Sequence, residues 1–126
     1  SLGEKPGAVG QAFKFWDKEG HALEYTFAVP QAGTYAVQLR MCATANAPIT
    51  RQVLVDGKPL AGVASFLLPD TGGWSGNQDD WRDVYLSDKT APALVELAPG
   101  THVLRLVNDC GVGTNLNWVK LVPVER

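Results

Sequence analysis

The sequence predicts an all-β fold, a sandwich or barrel of about nine short strands. Apolar and polar residues alternate along several short stretches, which is the pattern of strands with one buried face. Glycine, proline and Asp-Gly turns separate these stretches at short, regular intervals. Glycine or proline interrupts every candidate amphipathic helix, which argues against a helical fold. The 126 residues, 45% of them hydrophobic, suffice for a single domain spanning residues 1–126.

Three strands are predicted in the N-terminal third. The first, Ala12–Trp16, is short and aromatic and ends at the turn Asp17–Gly20. His21–Val29 alternates between apolar and polar residues, and Pro30–Gly33 ends it. Thr34–Cys42 alternates in the same way and forms the third strand.

Three more strands are predicted in the middle of the chain. Thr50–Val55 precedes Asp56-Gly57, a dipeptide typical of tight turns. Val63–Leu68 and Trp81–Leu86 are apolar stretches on either side of Pro69–Asp80, which is the longest irregular segment.

The last third completes the predicted set. Ala93–Leu97 and His102–Val107 are strands separated by a turn at Pro99-Gly100. A loop rich in glycine, Asn108–Thr114, leads to the final strand, Leu116–Val122. Strict alternation would place Leu116, Trp118 and Lys120 on one face of that strand and Asn117, Val119 and Leu121 on the other.

The apolar faces of these strands supply the predicted core, because two stacked sheets bury every second residue against each other. A one-residue error in register would move a strand's whole set to the opposite face. The core candidates are Leu23, Tyr25, Phe27, Tyr35, Val37, Leu39, Val53, Val55, Val84, Leu86, Leu104, Leu106, Val119 and Leu121.

Charge and composition exclude several classes of partner. The chain carries 11 basic and 13 acidic residues, a formal net charge of −2, and no basic run. Binding to nucleic acid or to an anionic membrane therefore has no electrostatic support. No apolar run approaches the length of a membrane span, and no signal-peptide pattern stands at the start.

The two cysteines, Cys42 and Cys110, each follow a predicted strand and open a loop. Their spacing is not that of a zinc site. A disulfide that joins the two loops would suit an exported protein. Two separate buried thiols are the alternative, and the sequence leaves both open.

The sequence contains no motif typical of an enzyme. Motifs of serine hydrolases, zinc proteases, thiol oxidoreductases and phosphate-binding loops are all absent. Asp79, Asp80 and Asp83 supply carboxylates, and a glycosidase needs only two. Adjacent loop carboxylates are more often solvated, so an enzyme is not predicted.

A carbohydrate site is better supported, because Trp74 lies among glycines in the segment Gly72–Asn77. The apolar C–H face of a sugar can stack on an indole, while its hydroxyl groups need amides and carboxylates around the ring. Asn46, Asp80 and Asn115 could form such a polar rim. The alternative is that Trp74 packs beneath its own loop.

Two other tryptophans are candidates for the same surface. Trp81 begins a predicted strand and could be either a binding platform or a core residue. Trp16 stands beside the turn at Asp17 and is a second candidate for a stacking ring.

An ordered set of motifs resembles the family 6 and family 35 carbohydrate-binding modules over about residues 20–122. The resemblance implies a jelly-roll-like β-sandwich of two antiparallel sheets, without catalytic activity, that binds sugars through loops at one end. Such modules are attached to secreted polysaccharide hydrolases and lyases. The motifs are Tyr25–Ala43, Val53–Gly57, Gly73-Trp74, Asp80–Val84, Leu97–Leu106 and Asn115–Leu121.

The resemblance also implies roles for individual residues. Trp74 matches the family's stacking aromatic residue, and Asn115 matches the asparagine that opens the last strand and contacts the ligand. Family members hold a structural calcium ion with paired glutamates near the N-terminus and an aspartate in the last strand. Glu4 and Asn117 stand near these positions here, so the predicted calcium set lacks most of its usual carboxylates.

These observations predict a secreted or cell-surface carbohydrate-binding module that targets an attached polysaccharide-degrading enzyme to a polysaccharide or oligosaccharide. A uronic acid ligand would pair with Arg40, Arg51 or Arg82. A protein-interaction or adhesion sandwich is the first alternative, and a flat apolar patch would distinguish it. A small glycan-active enzyme is the second, and it would need two carboxyl groups facing each other across a groove.

Overall fold

The computed structural model describes residues 2–4 and 11–125, with side chains from Trp16 to Glu125. The regular elements of the described residues are all strands, apart from one short 3-10 helix at Leu60–Gly62. The strands are β1 (Leu2–Glu4), β2 (Gln11–Trp16), β3 (Ala22–Val29), β4 (Gly33–Cys42), β5 (Ile49–Val55), β6 (Lys58–Pro59), β7 (Phe66–Leu68), β8 (Arg82–Tyr85), β9 (Ser87–Asp88), β10 (Ala91–Pro92), β11 (Leu94–Leu97), β12 (Gly100–Val107) and β13 (Thr114–Val124).

Two antiparallel sheets form the sandwich. The first has the order β1-β2-β13-β4-β11, with β8 also paired to β4. The second has the order β3-β12-β5-β6, with β7 paired to β5. Strands β9 and β10 form a separate antiparallel pair. The all-β prediction is confirmed.

The inner faces of the two sheets meet in one apolar core. Val37, Leu39, Leu104 and Leu106 are all nearly or completely buried, as the alternation predicted. Each such side chain contributes about 1.5–3 kcal/mol to folding through its removal from water. Leu23, Tyr25 and Phe27 are only partly buried against this core, since β3 is an edge strand of its sheet.

Strand β13 departs from strict alternation. Leu116 pairs with Met41 and Trp118 pairs with Arg40, so Asn117 is an extra residue that forms a bulge. Leu116 and Val119 are both buried as a result, and the prediction that Leu116 and Val119 lie on opposite faces is wrong. The bulge depends on the pairing with β4, which a single strand's sequence does not reveal.

The predicted strand Val63–Leu68 is shorter than expected. Its first residues follow the 3-10 turn, in which Ala61 and Gly62 have φ angles of 52° and 72°. Val63 closes this turn by donating its N–H to the carbonyl oxygen of Leu60, and pairing with β5 begins only at Phe66. The very short strands β1, β6, β9 and β10 were not predicted, because two or three residues are too few to show alternation.

The loops that matter most lie together at one end of the sandwich. Asn115 at the start of β13 pairs with Cys42 at the end of β4, and Trp16 at the end of β2 pairs with Thr114. The same end therefore receives the chain segments 17–21, 43–48, 69–81 and 108–113. The turns at Pro30–Gly33, Asp56-Gly57 and Ala98-Pro99 lie at the opposite end.

At that opposite end, His102 bridges two turns. Its Nδ1 lies 2.6 Å from Asp56 Oδ2, and its Nε2 lies 2.7 Å from the carbonyl oxygen of Ala98. Both partners are hydrogen-bond acceptors, so the ring satisfies the two contacts together only when both of its nitrogens carry a proton. The hydrogen bond that His102 donates to Asp56, followed by that to Ala98, raises the pKa of His102.

We expect this bridge to make stability depend on pH. Because the folded-state pKa of His102 is raised, its contribution is complete below about pH 6.5, the ordinary histidine value, and is lost as the pH rises through the raised pKa. Between about pH 6 and pH 9 the wild-type unfolding temperature should therefore fall more steeply than that of His102→Gln, measured by calorimetry. Parallel curves for the two proteins would contradict the assignment.

Candidate functional site

Trp74 is the most exposed of the four tryptophans, with a relative exposure of 37%. It lies in the irregular segment between β7 and β8. The edge of its ring rests against Gly113, and a Cβ atom added to that glycine would lie 3.3 Å from Trp74 Cη2. The indole therefore neither projects freely nor enters the core, and part of it faces solvent beside the loop that precedes β13.

Asp80 organises the loop that carries this indole. Its carboxylate accepts hydrogen bonds from Ser75 N at 3.0 Å and Gln78 Nε2 at 3.1 Å, and its own N–H donates to Ser75 Oγ. The carboxylate packs so tightly on Gly73 that a Cβ atom there would lie 2.2 Å from Oδ2. Asp80 is 8% exposed. Asp80 therefore holds the loop, and its contact with sugar hydroxyls stays a prediction.

Asn115 supports the same loop from below. Its Nδ2 donates to the carbonyl oxygen of Trp74 at 3.0 Å and lies 3.7 Å from Cys42 Sγ. The residue is only 4% exposed. Asn115 lies next to Trp74, as the sequence predicted, and its amide nitrogen is engaged by the loop; its contact with a ligand stays a prediction.

Asn46 lies on the neighbouring loop and is exposed. Asp70 joins the two loops, because it accepts hydrogen bonds from Thr44 Oγ1 and Ala45 N, both at 3.2 Å, and from Gly72 N at 2.8 Å. The hydrogen bonds from Gly72 and Ala45 hold the pKa of Asp70 below its ordinary value. Contact between Asn46 and a ligand stays a prediction.

Trp16 and Trp81 do not contribute exposed rings. Trp16 is 1% exposed, and its Nε1 donates to the carbonyl oxygen of His21 at 2.9 Å. Trp81 is 3% exposed and packs with Cys42. Both were candidates for the binding surface, and their burial contradicts that prediction, since a sugar cannot stack on a ring that is covered on both faces.

Two buried donors fix the position of the residues around the indole. Arg51 Nη2 donates to the carbonyl oxygens of Trp16 at 3.1 Å and Val112 at 2.8 Å. Asn108 Nδ2 donates to the same two oxygens, at 3.0 and 3.3 Å. These carbonyls belong to the residues directly before Asp17 and Gly113. Arg51 and Asn108 therefore join the turn at Asp17 to the loop at Gly113.

Asp17 was not among the predicted site residues, yet it lies beside Trp74. Its Cβ and Trp74 Cη2 each lie 3.3 Å from the point that a Cβ of Gly113 would occupy. The side chain is exposed. The sequence signal was its place in the turn that directly follows Trp16, but only the tertiary fold shows that this turn meets the loop before β13.

The arginines proposed for a uronic acid ligand are otherwise engaged. Arg51 is completely buried, so it cannot reach a ligand. Arg40 forms an ion pair with Asp83 at 2.9 Å and lies 3.9 Å from Asp79. Arg82 donates to the carbonyl oxygen of Trp81 at 2.7 Å. None of these contacts aims a guanidinium at Trp74.

The cysteines are not bonded to each other, which decides between the two arrangements that the sequence left open. Cys42 is buried beside Trp81, whereas Cys110 is partly exposed in the loop after β12. Cys110 Sγ lies 3.7 Å from Arg51 Nη1 and 3.5 Å from the carbonyl oxygen of Thr50. The two thiols therefore occupy separate environments, as the alternative interpretation held.

The predicted calcium ion finds no matching donor set in the described residues. No group of three or more histidine, cysteine, aspartate or glutamate side chains there could hold a metal ion. Asn117 is half-buried on the β13 bulge and offers an amide instead of a carboxylate. The side chain of Glu4 lies outside those described, so its part in a calcium site stays a prediction.

A groove of about 580 Å³ lies away from Trp74. It runs between the β3–β4 turn and the second half of β13, and Phe27, Tyr35 and Leu121 are among its lining residues. The Tyr35 hydroxyl already donates to the carbonyl oxygen of Gln31 at 2.7 Å. We regard the Trp74 surface as the stronger candidate, because there an exposed indole lies beside an exposed carboxylate.

The part of the chain that the structure describes contains no helix with the length and apolar character of a membrane span.

Solved structures share this fold. A family 35 carbohydrate-binding module from Clostridium thermocellum superimposes with a TM-score of 0.79 at 20% identity, covering 98% of this chain and 88% of that chain. A family 35 module in complex with a glucuronic acid containing disaccharide gives 0.74 at 17% identity, covering 99% and 84%. A Podospora anserina mannanase that contains a family 35 module gives 0.72 at 14% identity, covering 100% of this chain and 25% of that chain.

No protein-family model and no curated protein matches the sequence. At identities of 14–20% the structural likeness establishes the fold, which confirms the predicted β-sandwich.

We expect Asn115→Ala to loosen the Trp74 loop. The carbonyl oxygen of Trp74 would lose its donor in a partly buried place, at a cost of about 1 kcal/mol. Amide hydrogen exchange of residues 73–80 should accelerate, while Asn77→Ala, which removes an exposed amide from the same loop, should leave exchange near the wild-type rate. Equal exchange in the two variants would show that Asn115 does not hold the loop.

Arg51→Lys should destabilise the fold by roughly 2–4 kcal/mol, because an ammonium group cannot reproduce the planar fork that donates to several carbonyls. The free energy of unfolding in urea measures this loss. Arg105→Lys is the matched control: Arg105 pairs with Glu24 at 2.6 Å on the exposed surface, and its replacement should cost less than about 0.5 kcal/mol. Similar losses for both variants would contradict the structural role of Arg51.

Proposed function

We propose that this chain is a non-catalytic carbohydrate-binding module whose ligand stacks on Trp74. One observation carries the proposal: a partly exposed indole rests on Gly113 beside the exposed Asp17, at the loop end of a sandwich shared with family 35 modules.

The chemistry of these groups suits a sugar ring. An indole offers a polarisable face on which the C–H groups of a pyranose can pack. Asp17 can accept hydrogen bonds from sugar hydroxyls, and Asn46 on the adjacent loop offers a donor and an acceptor. Affinity should be modest, because each hydroxyl must lose its water before the protein binds it.

The carboxylates considered for catalysis support a binding role instead. Asp80 is nearly buried and bonded to Ser75 and Gln78. Asp83 is paired with Arg40, and Asp79 accepts a hydrogen bond from Trp81 N at 3.0 Å. A glycosidase needs one carboxyl group on each side of the scissile bond, and these three are committed to loop and strand contacts.

Exposed apolar side chains do not favour the adhesion alternative. Leu67, Trp74, Tyr85 and Val103 are exposed, but they belong to β7, the following loop, β8 and β12. Interaction sandwiches present such residues as one contiguous patch. Here each lies on a different element.

A second part of the proposed function concerns an attached enzyme. The Podospora anserina mannanase carries its family 35 module within a longer chain, of which the match covers 25%. We propose that this module is likewise attached to a polysaccharide-degrading enzyme that acts outside the cell, and that it increases the time that enzyme spends on its substrate.

The test is a glycan array or affinity gel with wild type, Trp74→Ala and Tyr85→Ala. Tyr85 is 41% exposed on β8 and serves as the matched aromatic control. Trp74→Ala should weaken retention at least about thirtyfold, equivalent to about 2 kcal/mol, whereas Tyr85→Ala should bind like wild type. If only Tyr85→Ala lost binding, the ligand would instead lie on the sheet face that carries Tyr85. If wild type bound no glycan, the proposed function would be contradicted.

A further inference from the structure

The ligand chemistry at Trp74 depends on the charges around it. Four chain segments meet at this end of the sandwich, residues 16–21, 43–48, 69–81 and 108–113. Together these segments carry six carboxylates, and Lys18 is their one lysine or arginine. The carboxylates are Asp17, Glu19, Asp70, Asp79, Asp80 and Asp109.

Most of these carboxylates are committed to hydrogen bonds within the protein. Asp70 and Asp80 bind loop N–H groups, as described above. Asp109 accepts from Thr50 Oγ1 at 2.7 Å and from Ser65 Oγ at 2.6 Å. Asp79 accepts from Trp81 N and lies near Arg40.

Asp17 differs from these in both position and engagement. Its side chain is exposed and flanks the same glycine as the indole edge. No ion pair engages it within residues 16–125, where side chains are described. Its carboxylate is therefore able to accept a hydrogen bond from a molecule that lies on Trp74.

The position of Asp17 is fixed by its surroundings. Gly20 N donates to the carbonyl oxygen of Asn108 at 2.6 Å, and Asn108 N donates to that of His21 at 2.9 Å. Arg51 and Asn108 hold the carbonyl of Trp16, directly before Asp17. The backbone that carries the Asp17 carboxylate is therefore held on both sides, which keeps this residue beside Gly113 and Trp74.

Resting on the function proposed above, we infer that the Trp74 site selects neutral glycans over uronic acids, and that Asp17 is the residue that determines this selectivity. A neutral sugar presents hydroxyl donors to the Asp17 carboxylate, which accepts them as a charge-assisted hydrogen bond. A uronic acid that stacks in the same place brings a second negative charge close to the first. Two of the arginines considered for a uronic acid are not free to offset that charge, since Arg51 is buried and Arg40 is paired with Asp83.

The size of the effect follows from the repulsion between two like charges several ångströms apart near the protein surface, which corresponds to a preference of about tenfold. Salt screens exposed charges, so the preference should narrow as ionic strength rises.

The experiment uses a glycan array of oligosaccharide pairs that differ only at C6: glucose with glucuronic acid, galactose with galacturonic acid, and mannose with mannuronic acid. Wild type, Asp17→Asn and Glu96→Gln are compared in calcium and in EDTA. Asp17→Asn keeps the size of the side chain and removes one charge. Glu96→Gln removes one charge on β11 at the opposite end of the sandwich, where it pairs with Thr34.

We expect wild type to bind the neutral member of its preferred pair about tenfold more tightly than the uronic acid in both buffers. This ratio of affinities should fall towards one in Asp17→Asn and should be unchanged in Glu96→Gln. Tighter binding of the uronic member in either buffer would overturn the inference while leaving the proposed function intact. An equal change in the ratio for both variants would also overturn it, because the effect would then come from net charge. Failure to bind any pair would instead contradict the proposed function.

Discussion

A buried guanidinium holds the loop end of this sandwich together. Arg51 lies 4.1 Å from the centre of the Trp16 ring and donates to the carbonyls of Trp16 and Val112. Burial lowers the pKa of Arg51, and the carbonyl dipoles and the ring offset the cost of removing its charge from water. Because those carbonyls directly precede Asp17 and Gly113, this one interaction sets the spacing of two segments around the exposed indole.

The indole itself depends on a second set of contacts. Asn115 donates to the carbonyl of Trp74, and Asp80 closes the loop on Gly73 and Ser75. These contacts join groups of the protein to one another, so they order the loop without needing a sugar to complete them. A preorganised site loses less conformational entropy on binding, which matters for a ligand that offers only a few stacking and hydrogen-bonding groups.

The fold was largely predictable because burial imposes alternation on each strand separately, as in Val37, Leu39 and Met41 of β4. The site was predictable only in part. A large ring among glycines indicated Trp74, but whether Trp16 is exposed depends on packing between distant segments. Arg51 alternates in step with Ile49 and Val53, which face the core from β5, and this pattern could have indicated its burial. The charge of Arg51 instead favoured an exposed position. The carbonyl groups that stabilise this charge come together only when the chain folds.

The most direct test of this account is a titration followed by amide and indole chemical shifts, with the oligosaccharide that the array identifies. We expect the largest changes in chemical shift at the Trp74 indole N–H and at the amides of Asp17, Gly113 and Ser75. Resonances at the opposite end of the sandwich should change little. Shifts concentrated instead around Phe27, Tyr35 and Leu121 would place the ligand in the large groove and would contradict a binding site at the exposed indole.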